Sequence, residues 1–393
     1  MSDLIRTETM TINMGPQHPS THGVLRIVLE LDGERVVSAV PHIGYLHTGI
    51  EKTAETKTYI QAMTMTDRLD YLAPMSNNLA FMLSTEKLVG VEVPPRAQTV
   101  RVMLCELQRI ASHLVWLGTH AIDIGAMSML LYCFRERELI MDLYEQVCGA
   151  RLTVSYFRIG GLAADIPADF TRRVKDFIDY FKPRVDEYET LLTRNKIWLG
   201  RTVGVGRISA ADAMNLGVSG PALRASGVGW DIRKSNPYSG YEKYDFEVPV
   251  GTNGDVYDRY RVRVAEIRQS VRIVEQTLAL LPSGAHIADA PKVVLPPRNT
   301  LHTSMEALIH HFLIICDGVS PPVGEAYVPI EGPKGEIGFY LVSDGTAKPF
   351  RCRIRPPCFV NLQALSKMAE GAMLADLVAI IGSLDIVLGE IDR

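Results

Sequence analysis

Hydrophobic and polar residues alternate over residues 6–43, and the run VLRIVLELDGERVVSAV places Asp32-Gly33 at its midpoint. A period of two broken by an Asp-Gly pair predicts two strands joined by a tight hairpin. From about residue 51 to 200 the period lengthens. In QTVRVMLCELQRIASHLVWL the apolar set Val100, Leu104, Leu107, Ala111 and Leu114 recurs at three and four residues, which predicts one face of a helix. A long helix is expected from about Ala126 to Cys148-Gly149. Another covers DFTRRVKDFIDYFKPRVDEYETLLT, with a kink or break at Pro183.

Residues 217–256 are rich in Gly, Tyr and Asn, which predicts a loop or β excursion. Helices resume at DRYRVRVAEIRQSVRIVEQTLALL and SMEALIHHFLIIC. Short strands follow at EAYVPIE, EIGFYLVS and FRCRIR, then a final helix and a short tail. The expected fold is α+β, with a β-rich region over 1–50, a helical bundle over 51–316 and an α/β region over 317–393. One stretch breaks the helical rhythm. RLDYLAPMSN, from Arg68 to Asn77, is a Pro-terminated bend holding a lone tyrosine, Tyr71, and nothing in it binds a metal firmly.

Composition narrows the classes. A chain of 393 residues can bury a large core, and a net charge of −4 gives no electrostatic case for nucleic acid. The six cysteines form no CxxC, which fits reduced thiols better than a disulfide scaffold or a cluster-binding module. The opening MSDLIRTETM lacks the apolar centre of a signal peptide. The stretch MLADLVAIIGSLDIVL carries Asp376 and Asp385 and is broken by Gly382, short of the roughly 20 apolar residues a membrane span needs. Any work at a membrane is therefore expected to go through docking onto something that crosses it.

The candidate chemistries mostly have plain structural readings. Gly204-Val205-Gly206 and Gly227-Val228-Gly229 lack the third glycine of a dinucleotide loop and read as turns, so the chain should not bind NADH itself. His18 and His22 are four apart, but Pro16 and Pro19 exclude the helix that would bring them together as ligands. Cys105, Arg109 and His113 share one helical row, read as a packed or partner-facing stripe. Asp123, in HAIDIGA, reads as a helix N-cap.

Longer blocks point further. GPQHPSTHGVLR, PHIGYLHTGIEK, DRLDYLAPMSNNLAF, VPPRAQTVRVMLCELQRIASHL, FRERE, SGYEKYDFEVPVG, TSMEALIHHF and VAIIGSLDIVLGEIDR together resemble the 49 kDa (D) subunit family of respiratory complex I, the NADH:quinone oxidoreductase. The resemblance runs from about residue 13 to 393. It implies descent from the large subunit of nickel–iron hydrogenases, whose RxCGxCxxxH and DPCxxCxxH motifs fall at Arg68 and Asp385. Asp70, Ala73, Val387 and Glu390 then stand in the cysteine places, Tyr71 in that of the glycine, and Asn77 and Arg393 in those of the histidines. Without the soft thiolates, nickel and iron are not expected here.

The resemblance also implies a role for the vacated cavity, as the seat of a quinone headgroup, ubiquinone or menaquinone. A quinone takes up two electrons and two protons, so its site wants donors aimed at the oxygens where charge develops. The family pattern gives these roles to Tyr71 and His22, whose side-chain types have reference pKa values near ~10 and ~6.5, with Asp123 paired to the histidine. Electrons are expected from a 4Fe–4S cluster in the neighbouring B subunit, near Arg68, with NADH oxidised by flavin (FMN) in a distant subunit and the reaction coupled to proton pumping. The B, C, H and I subunits of the complex are implied as partners, at the cytoplasmic side of a bacterial inner membrane, with membrane contact through those partners. Thr153 stands where many relatives have a histidine linked to the pH dependence of that cluster, and Thr48 where mitochondrial relatives have an arginine. The alternative is a scaffold component of a related ferredoxin-using or hydrogenase-type membrane complex. A stand-alone hydrogenase is excluded by the missing cysteines.

Overall fold

The computed structural model describes residues 8–393; residues 1–7, the start of the expected β-rich region, lie outside the described residues. Three antiparallel strands come first: β1 (Met10–Met14), β2 (Arg26–Asp32) and β3 (Arg35–His42). β2 and β3 form the predicted hairpin, with Gly33 at a φ of 61°, where a side chain would strain the turn. The β1–β2 loop carries a single 3-10 turn, Pro19–Thr21.

The bundle begins with α1 (Ile50–Ala54), α2 (Tyr59–Thr66), α3 (Pro74–Val89), α4 (Pro95–Asp123) and α5 (Ser128–Cys148). Gly149, at φ 72°, ends α5 as predicted. A small ribbon, β4 (Phe157–Arg158) with β5 (Gly161–Leu162), leads into α6 (Phe170–Leu192). The break expected at Pro183 does not occur. Phe177, Phe181, Val185 and Tyr188 are buried on one face around it, and that packing outweighs the missing backbone donor.

Short helices α7 (Lys196–Thr202), α8 (Ala210–Asn215), α9 (Pro221–Ala225) and α10 (Ile232–Ser235) come next. Residues 217–256 thus contain helical turns where a loop or β excursion was expected, and no strand. Local caps explain it: Pro221 opens α9 at its first position, and the Asp231 carboxylate accepts from Arg233 N at 2.9 Å to start α10. The long α11 (Val256–Ala279) and α12 (Met305–Cys316) precede an antiparallel sheet of β6 (Gly324–Gly332), β7 (Gly335–Ser343) and β8 (Arg351–Arg355). The ending is more broken than the expected helix and tail, with α13 (Pro357–Leu362), α14 (Ala364–Ala369), α15 (Leu374–Leu384) and α16 (Leu388–Ile391).

Two apolar cores organise these pieces. The larger joins α2 to α6 and α11 with the inner face of the second sheet, through Ile330, Ile337, Phe339 and Leu341. The smaller brings the first sheet onto the last helices, with Leu25, Ile27 and Leu29 against Leu365, Ile380 and Val387. The two ends of the described chain therefore share one core, and this brings residue 22, the bend at 68–73 and the segment 385–393 into one neighbourhood. Among the described residues no helix is long and apolar enough to cross a membrane.

Candidate functional site

The bend between α2 and α3 is held by the helix that follows it. Asn77 Nδ2 reaches back to the carbonyls of Thr66 and Asp70, both at 3.0 Å, and Asn78 Nδ2 donates to Asp67 Oδ1 at 2.7 Å. Side-chain amides thus satisfy acceptors that the end of α2 leaves open. The turn also sorts its side chains. Leu69 and Asp70 are buried, while Arg68 and Tyr71 face outward, Tyr71 with 37% of its surface exposed. Burial of the rest of the ring, with the charge of Asp70, raises the Tyr71 pKa, so its hydroxyl keeps its proton at neutral pH.

Beneath Tyr71 lies a buried cation that the sequence did not announce. Lys334 sits in the Gly332–Gly335 turn between β6 and β7 and is the one buried lysine among the described residues. Its Nζ donates to Ser112 Oγ at 2.9 Å and lies 2.9 Å from Asp70 Oδ2 and 3.8 Å from Asp385 Oδ2. Burial opposes the charge, but Asp385 and Asp70 outweigh burial and hold the lysine pKa up. The turn is fixed from behind, since Arg109 donates to the carbonyls of Glu331 (2.7 Å) and Gly332 (2.9 Å). Gly335 is required there: at φ 135°, an added Cβ would stand 2.5 Å from Ser219 Oγ.

The acids near Lys334 are short of countercharge. Burial lifts Asp385 to about 6 and, with the charge of Asp70 added, Glu390 to about 8. Asp70, Ala73 and Glu390, three of the positions aligned with hydrogenase cysteines, converge on a cavity of about 10 Å³. Val387, the fourth, donates its N–H to Cys358 Sγ at 3.4 Å. That volume holds about one water. A quinone headgroup therefore does not fit the vacated cavity as expected, because Lys334 and the carboxyls fill it. The open surface is the one above, which Tyr71 and His22 present outward.

His22 closes the 3-10 turn in a left-handed conformation (φ 54°). One side of its ring meets solvent, yet enough protein surrounds it to lower its pKa, first by desolvation and then through the charge of Lys334. It is therefore neutral near pH 7, not the poised acid expected from the reference value. Asp123 ends α4 and opens no helix, so the N-cap reading is replaced. Its half-buried carboxyl rises to about 6 by burial, and the charge that opposes the rise comes from His18. His18 heads the 3-10 turn, its Nδ1 accepting from Ser20 N at 3.2 Å, and the turn packs on α15. The expected pairing of His22 with Asp123 is thus not the one made here: His18 acts on Asp123, and His22 senses Lys334.

The row Cys105, Arg109 and His113 is buried throughout, as its packed reading requires. It belongs to an ionic core in which Glu106 takes bonds from Arg109, Arg233, Tyr241 and Ser270, and Glu266 from Arg224 and His113. The available signal was charge at helical spacing inside apolar α4 and α11: Glu106, Arg109 and His113 facing Arg263 and Glu266. The glycine pairs lie in turns, with Gly204, Gly206 and Gly227 all at positive φ.

Comparison with known proteins identifies the family of the chain. A family model described as "Respiratory-chain NADH dehydrogenase, 49 Kd subunit" matches residues 123–393. A protein of Geotalea uraniireducens, named as the D subunit of NADH-quinone oxidoreductase, is 62% identical over 98% of this chain and 99% of its own length. Geobacter metallireducens has one of the same name, 60% identical over 98% and 99%. Chloroflexus aurantiacus has one named as a second D subunit of that enzyme, 61% identical over 99% and 95%. These relatives are oxidoreductase subunits, and that is the class of this α+β chain. The chain belongs to the family of respiratory-chain NADH dehydrogenase 49 Kd subunits, a component of complex I.

Proposed function

We propose that this chain supplies the quinone-headgroup side of the reductase, with Tyr71 donating a hydrogen bond, and then a proton, to one quinone oxygen. The observation that carries the reading is Tyr71, exposed and protonated, directly above the buried Lys334–Asp70 pair. When the phenol gives up its proton, the lysine's charge stabilises the anion left behind. His22, neutral and beside the same charge, serves as a second hydrogen-bonding partner for the headgroup. Asp123, its carboxyl raised to about 6, can hold a further proton nearby. The relatives' names make NADH the donor and a quinone the acceptor, and reduction to the quinol needs two electrons and two protons. The electrons come from the iron–sulfur cluster of a neighbouring subunit, and exposed Arg68 faces that neighbour as a fixed positive charge that raises the cluster potential. The B, C, H and I subunits complete the assembly and hold the chain on the cytoplasmic side of a bacterial inner membrane, where turnover is coupled to proton pumping.

Tyr71→Phe tests this in the assembled complex. It keeps the ring and removes the donor, a loss of about 0.5–1.5 kcal/mol in binding or activation. Turnover with short-tail quinones should fall or their apparent KM rise, with NADH favoured over ferredoxin as donor. Unchanged kinetics with every quinone would return Tyr71 to a structural role.

A further inference from the structure

Residues 42–48, from the last residue of β3 toward α1, form seven consecutive exposed positions, and Ile43, Tyr45 and Leu46 present apolar surface to solvent. Such a segment has little packing to order it. Beyond the ladder pairing of His42 with Arg26, its bonds to the rest of the chain converge on one residue. The Asp392 carboxylate, 4% exposed, accepts from Gly44 N at 2.8 Å with one oxygen and from Leu46 N at 2.7 Å with the other. His47 Nδ1 lies 2.8 Å from the Asp392 carbonyl oxygen. A carboxylate that takes two backbone N–H groups two residues apart fixes the curl of the loop between them, and charge-assisted bonds of this length are the strong kind.

Asp392 follows the last turn of α16, and the opposite end of that turn touches the bend that carries Tyr71. Gly389, three residues earlier, packs so closely that an added Cβ would stand 2.6 Å from the Arg68 carbonyl oxygen, 2.8 Å from that of Leu69 and 3.6 Å from the Tyr71 ring. One helical turn is about 5 Å long. Residues three apart share a helix face, so the loop 42–48 and the Tyr71 bend are both held by this one terminal turn. Arg393 continues the clasp, its Nε 3.1 Å from Glu51 Oε1 at the start of α1, just beyond the loop.

We propose that Asp392 is a positioning residue for quinone binding, clasping the 42–48 loop so that Ile43, Tyr45 and Leu46 form an apolar wall beside Tyr71 for the headgroup and the start of its isoprenoid tail. This rests on Tyr71 meeting the quinone. The clasp acts on binding and not on the proton or electron steps, so it should govern KM more than kcat.

The test uses assembled complex, matched for subunit content, carrying Asp392→Ala, Asp392→Asn or Tyr71→Phe. In Asp392→Ala, amide hydrogen exchange at Gly44 and Leu46 should quicken about tenfold or more. The KM for a short-tail quinone should rise severalfold, with kcat within about twofold. Asp392→Asn keeps one acceptor oxygen and should fall between; it carries the test if the alanine variant does not assemble. Unchanged exchange would overturn the clasp. Faster exchange with unchanged KM would show that the loop is held but does not meet quinone, which also overturns the proposal while leaving the tyrosine reading intact. Unchanged quinone kinetics in Tyr71→Phe would instead remove the reading on which it rests.

Discussion

The interior holds two groups of buried charge, and they behave in opposite ways. In the ionic core, Arg109, Arg224 and Arg233 face Glu106, Asp231, Glu266 and Glu331, with Tyr241 and Ser270 adding donors. Burial works against the carboxylates there, yet the arginines and donors hold Glu106 and Glu266 down at about 2. Glu331 is the exception and rises, because burial and neighbouring Asp231 together exceed the pull of Arg224. Around Lys334, that lysine and the more distant Arg263 are set against Asp70, Asp385 and Glu390, and Asp385 and Glu390 go up. The same residue types give a fixed charge in one place and a protonatable group in the other. What differs is the ratio of cations and donors to acids.

The arrangement separates rigidity from reactivity. The ionic core anchors the Gly332–Gly335 turn through Arg109, and that turn aims Lys334 at the Tyr71 bend. A site that exchanges protons needs groups near their own pKa, and a scaffold needs groups far from theirs.

The largest expected effect comes from breaking the ionic core. Arg233→Met keeps much of the volume but strands Glu106 and Asp231 without their shared cation, a loss of about 3–5 kcal/mol. Little assembled complex should be recovered, and quantifying this chain in membrane complexes checks it. Normal assembly would mean the core's charges are redundant.

Lys334→Met should cost less, about 1–3 kcal/mol, because the acids around it can take up protons instead of staying unpaired. The loss should shrink as pH falls from about 8 to about 6, the values at which Glu390 and Asp385 take up their protons, and thermal unfolding of the complex at both would show it. A pH-independent loss as large as that of Arg233→Met would erase the distinction between the two groups.

Glu390 sharpens the comparison through pH alone. Its folded pKa, about 8, lies above its ordinary value, so between roughly 4.5 and 8 the folded chain holds a proton that the unfolded chain has lost. Stability from this group is present at the acid end and is lost as pH rises through that window. Glu390→Gln should flatten the slope by at most one proton, about 1.4 kcal/mol per pH unit. An identical slope in the variant would place the proton on another member of the group.

Much of this was legible in the sequence, and the failures share a cause. Asp32-Gly33, the apolar row of α4 and the strands of the second sheet follow from local pattern. The replaced motif positions led correctly to one place, since Asp70, Ala73 and Glu390 do converge. Lys334 escaped notice because a lysine in a Gly-Pro-Lys-Gly turn reads as solvated; only the fold, by laying that turn on Ser112 and Asp70, buries it. Arg224, Asp231 and Arg233 were hidden in the same way within a stretch read as loop. The histidine pairing depended on which end of a three-residue turn faces α4, and no spacing rule settles that.

The smallest effect expected tests that pairing. Asp123 is half-buried and its partner His18 is exposed, so solvent screens their interaction and its influence should be modest. His18→Asn keeps an oxygen where Nδ1 accepts the Ser20 N–H, so the turn should stay capped while the imidazole is removed. The imidazole charge lowers the Asp123 pKa, so its loss should move the carboxyl upward from about 6. Less than about one unit is expected for a screened pair. If Asp123 must be ionised for quinone reduction, the acid limb of the rate–pH profile should move to higher pH in His18→Asn and vanish in Asp123→Asn. His22→Asn should leave that limb in place and change quinone affinity instead, because His22 faces Lys334. The reverse result, a limb that follows His22 and ignores His18, would restore the pairing read from the sequence.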